Sequence, residues 1–522
     1  MQPPSSPDPF SDPTTELDPS ATLTVDRNAT LRLGTDSLIV LDDGLRHRRT
    51  PSTFCGLLPQ LAKTTRAVPF YNILWATLSD FELLIHYAQP YGKNACRTGV
   101  ISYTVTDKSL HAHSKRWVEA LLNRAYPTNT KRRQRVKVLV NPFGGKGHAQ
   151  KLWSREAEPI FAAAGCEVSV ERTAYKGHAI DIAANLDVNA YDLIACASGD
   201  GLPHEVFNGL AKQPHPRHAL HSIAVTQIPC GSGNAMSLNL NGTDSPSLAA
   251  LAIVKGVRAP FDLVAITQGK ELYYSFLSQS VGIIAESDLG TESLRWMGSL
   301  RFTWGCLVRL LGQTIYPAEV SVVVELDDKR AIKESYARAV AASSSLPPLP
   351  PDTNLPDSAL PALRFGTIAT PLPKEFITQD LPTLGNFYAG NMCTMSASTP
   401  FFPYALSSDA LLDLINIDGR VPRSIALRML TTVEHGTLID FPEVAYRKVV
   451  AYRISPRVHR PVKKGLVRAK VGRWLGGGRR EGFISVDGEK VPFEPFQAEV
   501  VGGLGMVVAK RGGVYEYDPP RA

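Results

Sequence analysis

The chain has 522 residues, 44% apolar and 20% charged, with a net charge of +7, the balance of an ordinary globular protein with material for roughly two to four domains. It contains no run of about 18 apolar residues, which excludes an apolar membrane-spanning helix. Its seven cysteines stand singly, without CxxC or Cys/His ligand spacing, which argues against a disulfide framework or zinc site and for a reducing compartment.

Residues 1–20 are rich in Pro, Ser and Asp, with no basic flank or apolar core of a leader. They read as a disordered lead-in without a secretory signal. Residues 21–128 carry short alternating runs, "ATLRLGTDSLIVLDDG" and "FYNILWATLSDFELLIHYAQP", which predict a small β-rich module. A basic patch, Lys131 to Lys137, then opens a segment of different texture. Over residues 131–257 strand-like runs ("VKVLVNP", "CEVSVERT", "YDLIACAS", "SIAVTQIP") alternate with helical ones ("HAQKLWSREAEPIFAAAG", "GHAIDIAANL", "LPHEVFNGLA", "SPSLAALAIVKG"). That alternation predicts an α/β domain built on a mostly parallel sheet. Residues 258–512 are strand-dominated and predict a β-rich, sandwich-like second domain, with one helical stretch near Thr291 to Leu311. Within it, the Pro-rich insertion at residues 343–363 reads as a disordered loop.

Three glycine-rich junctions stand out in the α/β segment. In "VLVNPFGGKGHAQKLW" a strand passes through Asn141, Pro142, Phe143, Gly144, Gly145, Lys146 and Gly147 into a helix. Such a turn offers backbone N–H groups and a helix N-terminus to phosphate, although the Walker spacing is not met. In "ACASGDGLPHEVFNGL" Asp200 lies between Gly199 and Gly201. Asp-Gly is ordinarily a hairpin signal. Here a strand precedes it and a helix follows, so Asp200 falls on a loop at the carboxyl end of a strand, the ligand-binding edge of an open α/β sheet. Glu205 reads equally as a functional group and as a first-turn carboxylate complementing the helix dipole. In "QIPCGSGNAMSLNL" a third strand meets a loop of Gly231, Ser232 and Gly233 before a helix at Asn234. Three such loops after successive strands line one edge.

In that order and spacing, "NPFGGKG", "SGDGLPHEVFNGL" and "PCGSGNA" resemble the diacylglycerol kinase catalytic superfamily. The segment "SFLSQSVGIIAESDLGTESLRWMGSLRFTWG" from Ser275 to Gly305, and "ISVDGEKVPFEPFQAEV" from Ile484, resemble sphingosine kinases within it. The resemblance covers roughly Arg135 to Ala509 apart from the Pro-rich insertion. It implies an ATP-dependent lipid kinase that uses Mg2+ and phosphorylates the primary hydroxyl of a sphingoid long-chain base. Diacylglycerol or ceramide kinase, and an inactive lipid-binding regulator, are the alternatives.

By the same resemblance Asp200 is the catalytic residue. Asn141, Phe143, Gly144, Gly145, Lys146, Gly147, Thr173, Ser198, Gly199, Gly201, Glu205, Gly231, Ser232 and Gly233 then serve the nucleotide, with Arg295, Arg301, Asp487, Gly488 and Glu489. Asp288 would face the protonated amine of a sphingoid base, with Ser278 bonding its head group; no resident metal ligands are assigned. A desolvated ammonium needs a fixed anion, whereas a diacylglycerol has no amine to satisfy.

Ala451 to Arg480 holds ten Lys/Arg and no Asp/Glu, interleaved with Leu466, Val467, Val471, Trp474 and Leu475. With a water-insoluble substrate this reads as a peripheral contact with an anionic membrane surface. The expected setting is cytoplasmic, at intracellular membranes. No nucleic-acid module accompanies the charge, and the sequence sets no oligomeric state.

Overall fold

The computed structural model describes residues 21–25, 29–42, 65–144, 147–289, 314–343, 359–457 and 482–520. The expected disordered lead-in, the helical stretch near residues 291–311, most of the Pro-rich insertion and the basic stretch beyond Arg457 lie outside the described residues. The chain divides into two compact units, residues 1–132 with 159–165, and residues 133–158 with 166–522.

In the first unit, β1 (Thr22–Val25), β2 (Ala29–Leu33), β3 (Ser37–Leu41) and β4 (Thr65–Pro69) form an antiparallel meander in chain order. A second antiparallel sheet holds β5 (Ile73–Ser79), β6 (Glu82–Pro90) and β7 (Cys96–Thr104). The expected β-rich module thus gains a helix, α1 (His111–Ala125). Its buried Trp117, Val118, Leu121, Leu122 and Ala125 recur at three- and four-residue steps. Trp117 Nε1 donates to the Ala21 carbonyl at 3.2 Å, and Arg124 to Gly34 at 2.8 Å, tying this stripe to the first sheet.

In the second unit β8 (Arg135–Val140) is followed by α2 (Ala149–Leu152) and a π turn at Trp153–Ala157, while α3 (Glu158–Ala163) is grouped from Pro159 on with the first unit. Then come β9 (Glu167–Arg172), α4 (His178–Ala184), β10 (Leu193–Ser198), α5 (Gly201–Leu210), α6 (Pro216–Ser222), β11 (Ala224–Pro229), α7 (Ala235–Asn241) and α8 (Pro246–Lys255). The strands are parallel in the order β9-β8-β10-β11. Every residue of β10 and β11 is buried, as expected for parallel strands covered on both faces. The strand-helix alternation matches the expectation, with α6 added by the structure.

The remainder comprises β12 (Val257–Gln268), β13 (Glu271–Ser275), β14 (Ser278–Gly282), α9 (Ile283–Leu289), β15 (Ala318–Leu326), α10 (Lys329–Ser343), β16 (Ile377–Leu381), β17 (Leu384–Gly390), β18 (Leu412–Asp418), α11 (Arg423–Thr432), β19 (Val444–Pro456), β20 (Ile484–Val486), β21 (Glu489–Val491) and β22 (Phe496–Ala509). It is β-rich, as read from its texture, but α9, α10 and α11 were not foreseen. Nor do the two regions have separate sheets. β22 pairs with β19 near its start and meets β11 in parallel at Val507 and Val225, so one 15-stranded sheet runs through both. Gly503, at φ +60°, lets β22 change course between these pairings.

Candidate active site

The parallel strands end level. Val140 is in register with Arg172 and with Ala197, and Ser198 with Pro229. The loops that follow, from Asn141, Thr173, Gly199 and Cys230, therefore open along one edge. Each is shaped by its own residues. Asn141 Oδ1 accepts from the N–H groups of Phe143 at 2.9 Å and Gly144 at 3.1 Å, folding the first loop back on itself. In the fourth loop Asn234 stands at φ +56°, and its Oδ1 accepts from Gly231 N at 2.8 Å. The third and fourth loops touch backbone to backbone: a Cβ on Gly231 would fall 2.4 Å from Gly199 Cα. Only glycine fits there.

Asp200 is the N-cap of α5, and its carboxylate crosses to the next loop. Oδ2 accepts from Ala235 N at 3.0 Å, and Oδ1 from Met236 N at 3.1 Å and Gln227 Nε2 at 3.2 Å. Gln227 is fully buried in β11, and its Oε1 accepts from Ser237 N at 2.8 Å, so its donor end is fixed. Burial pushes the Asp200 pKa above the ordinary carboxylate range. The three hydrogen bonds oppose that shift, while the charge of Asp487 adds to it. The result is a carboxylate with a set orientation and raised proton affinity.

Asp487 faces this loop from the β-rich region. It stands at φ +52° and Gly488 at φ +82°, the two left-handed residues of the hairpin joining β20 and β21. Asp-Gly makes a hairpin turn here, not at Asp200. The Asp487 side chain is wholly buried. Its Oδ1 accepts from Ser275 Oγ at 2.6 Å and from Leu277 N and Ser278 N, both at 2.9 Å. Its Oδ2 accepts from Phe276 N at 3.0 Å and pairs with His204 Nδ1 at 2.8 Å. Five internal partners thus occupy the oxygens of Asp487, which hold the turn leading to Ser278. Burial opposes protonation of His204, but the bond and charge of Asp487, with Glu489 and Glu205 behind, outweigh it and raise its pKa.

Glu205 is likewise engaged within the protein. Its two oxygens accept from Gly177 N at 3.0 Å and Ala179 N at 3.1 Å, so it caps α4 rather than complementing its own helix. Glu489 pairs with Lys176 at 2.6 Å, an exposed contact.

These groups surround one cavity of about 710 Å³. Asn141, Phe143, Gly144, Thr173, Ser198, Gly199, Asp200, Gly201, Glu205, Gly231, Ser232, Gly233, Ser278, Asp487, Gly488 and Glu489 all line it. Gly147, at φ +71°, completes the first loop without lining the cavity. Gly145, Lys146, Arg295 and Arg301 lie outside the described residues, as does the side chain of Asp288, whose backbone belongs to α9. The sequence reading missed Gln227, an amide inside the apolar run "SIAVTQIP", whose polarity was the available signal. It also missed Tyr175, Lys176, Met395, Ser396, Thr399 and Glu434, which come to the cavity from segments without a motif.

Residues 135–266 match the family "Diacylglycerol kinase catalytic domain", and residues 21–127 match a "Domain of unknown function (DUF7493)". The chain is 34% identical to "Sphingoid long chain base kinase 5" of Saccharomyces cerevisiae, over 77% of this chain and 63% of that one. It is 32% identical to "Sphingoid long chain base kinase 4" of Schizosaccharomyces pombe, over 85% and 88% of the respective chains. With human "Sphingosine kinase 1" it shares 27% identity, over 70% and 88%. Among solved structures, a putative diacylglycerol kinase from Bacillus anthracis superposes with a TM-score of 0.48 at 15% identity, covering 73% of this chain and 98% of that one.

Proposed function

The chain belongs to the sphingoid long-chain-base kinases, and from that premise we propose that Asp200 is the catalytic carboxylate in transfer of the γ-phosphoryl group of ATP to the primary hydroxyl of a sphingoid base. The supporting observation is the Asp200 carboxylate itself, held by Gln227, Ala235 and Met236 at the cavity where two glycine loops meet.

The glycine loops approach the triphosphate with backbone N–H groups, since no Cβ keeps it away. The lipid hydroxyl enters from the Ser278 side. Asp200 orients it and accepts its proton as its oxygen bonds to the γ-phosphorus, while the bond from that phosphorus to the β,γ-bridging oxygen breaks and ADP departs. Phosphoryl transfer asks mainly for positioning and charge stabilisation, and a carboxylate pushed up by burial is the better proton acceptor.

Magnesium would enter with the nucleotide and shield its phosphates. Among the described residues no group of three His, Cys, Asp or Glu side chains could hold a metal ion. In this reading Asp288 is the counter-ion of the substrate amine and Ser278 a hydrogen-bond partner of its head group. The product is the base 1-phosphate. We propose a cytoplasmic enzyme that meets its lipid at an anionic intracellular membrane through the basic stretch that continues past Arg457. Among the described residues no helix is long and apolar enough to cross a membrane.

Asp200→Asn tests the central assignment. With labelled ATP and sphingosine, its turnover is expected to fall by about 100-fold or more, the range for a lost catalytic proton acceptor, with an unchanged near-ultraviolet dichroism spectrum. Retained turnover would sink the assignment.

A further inference from the structure

Two aromatic rings stand in solvent at the rim of the cavity. Phe143 is 75% exposed and Tyr175 56% exposed, and both line the cavity. A single exposed ring on a protein surface needs no explanation. These two occupy matched positions. Val140 closes β8 in register with Arg172 of β9, and each ring belongs to the third residue beyond its strand. Neighbouring strands lie about 4.8 Å apart, so the two loops set out side by side.

Both rings are held there by local chemistry. The Asn141 carboxamide fixes the backbone at Phe143 and Gly144. Tyr175 Oη donates to Asp181 Oδ2 at 2.7 Å, and its ring lies against His178, centroids 4.5 Å apart and inclined by 35°. His178 Nδ1 in turn accepts from Ala174 N at 3.1 Å, which anchors the loop.

The remaining geometry concerns direction. The groups suited to phosphate, Gly144, Gly199 and the loop from Gly231 to Gly233, line the same cavity as Asp200. The Asp200 carboxylate reaches the loop after β11, so a triphosphate with its terminal phosphorus there and laid toward Gly144 would put its base at the rim of β8 and β9. A purine offers two flat faces there, and an exposed aromatic ring is the side chain that gains most from covering one.

We propose that Phe143 and Tyr175 form an aromatic clasp that holds the nucleotide base by stacking. The clasp rests on the nucleotide reading given above and extends it from the phosphates to the base.

The test uses the full chain, ATP and sphingosine. Phe143→Ala and Tyr175→Ala should each raise the KM for ATP about tenfold, within the range for losing one base–aromatic stack, with the loss falling on KM rather than kcat. Tyr175→Phe and Phe143→Trp keep a ring and should stay within about twofold of wild type. Inorganic tripolyphosphate, which has no base, serves as competitor, and its inhibition constant should be the same for wild type and both alanine variants. A wild-type KM in the alanine variants overturns the clasp, and so does weakened tripolyphosphate binding in step with ATP. A wild-type chain that transfers no phosphoryl group from ATP to sphingosine overturns the underlying kinase reading instead, so the two failures are distinct.

Discussion

Asp200 and Asp487 are both followed by glycine, yet their surroundings give them different work. Asp487 spends its oxygens on five internal partners, whereas Asp200 accepts three hydrogen bonds and still opens onto the cavity. The raised pKa of Asp200 has a kinetic consequence. In its proposed role the carboxylate works when ionised, so activity should fall as pH drops through a value above the ordinary Asp figure of about 3.9. Gln227 favours the ionised form by donating to it. Gln227→Leu should therefore move the acid limb of the kcat/KM profile to still higher pH. A merely structural lesion would lower the plateau and leave the limb in place, which a pH series on both proteins distinguishes.

At the scale of elements, α4 shows how a short helix is held beside the site. It has seven residues, begins after Gly177 at φ +89°, and takes its cap from Glu205 of α5. The two helices also approach closely: a Cβ on Gly209 would lie 2.5 Å from the Ile180 carbonyl oxygen and 2.6 Å from Ala183 Cβ. Gly209→Ala must push α4 away from α5, and a loss of about 1–3 kcal/mol is expected from such overpacking. Glu205→Ala should lose about 1 kcal/mol with the cap. Urea midpoints of the two variants measure both effects, and an unchanged midpoint for Gly209→Ala would mean that the helices are not in contact as described.

Across the second unit, Asp487 links parts of the chain far apart in sequence. It connects α5 through His204 to the turn from Ser275 to Ser278. Asp487→Ala leaves a half-buried imidazole and four donors without their acceptor, and the expected cost is about 3–5 kcal/mol. Because Ser278 belongs to that turn, the KM for the sphingoid base should rise more than the KM for ATP. Unfolding curves and two-substrate kinetics of the full chain test this. Equal changes in the two constants would contradict it.

Much of this protein was readable before any tertiary contact was known. Glycine runs after apolar strands specify strand-to-helix junctions, because few other residues turn so tightly or let a phosphate come so near. The order of three such junctions carried the resemblance to a lipid kinase family, from which the proposed role of Asp200 follows. Helix α1 was readable too, from the spacing of Trp117, Val118, Leu121 and Leu122, but the strand signals around it masked that period. Other roles depend on partners remote in sequence. Gln227 lies 27 positions from the carboxylate it orients, and Asp487 lies 283 positions from His204. A side chain's hydrogen bonds depend on which donors the fold brings within about 3 Å, and residue type and local spacing carry no record of that. Local pattern determined where the loops are and what they can bind. Only the packed sheet decided that Glu205 caps a helix, that Asp487 holds a turn, and that Gln227, Ala235 and Met236 hold the Asp200 carboxylate.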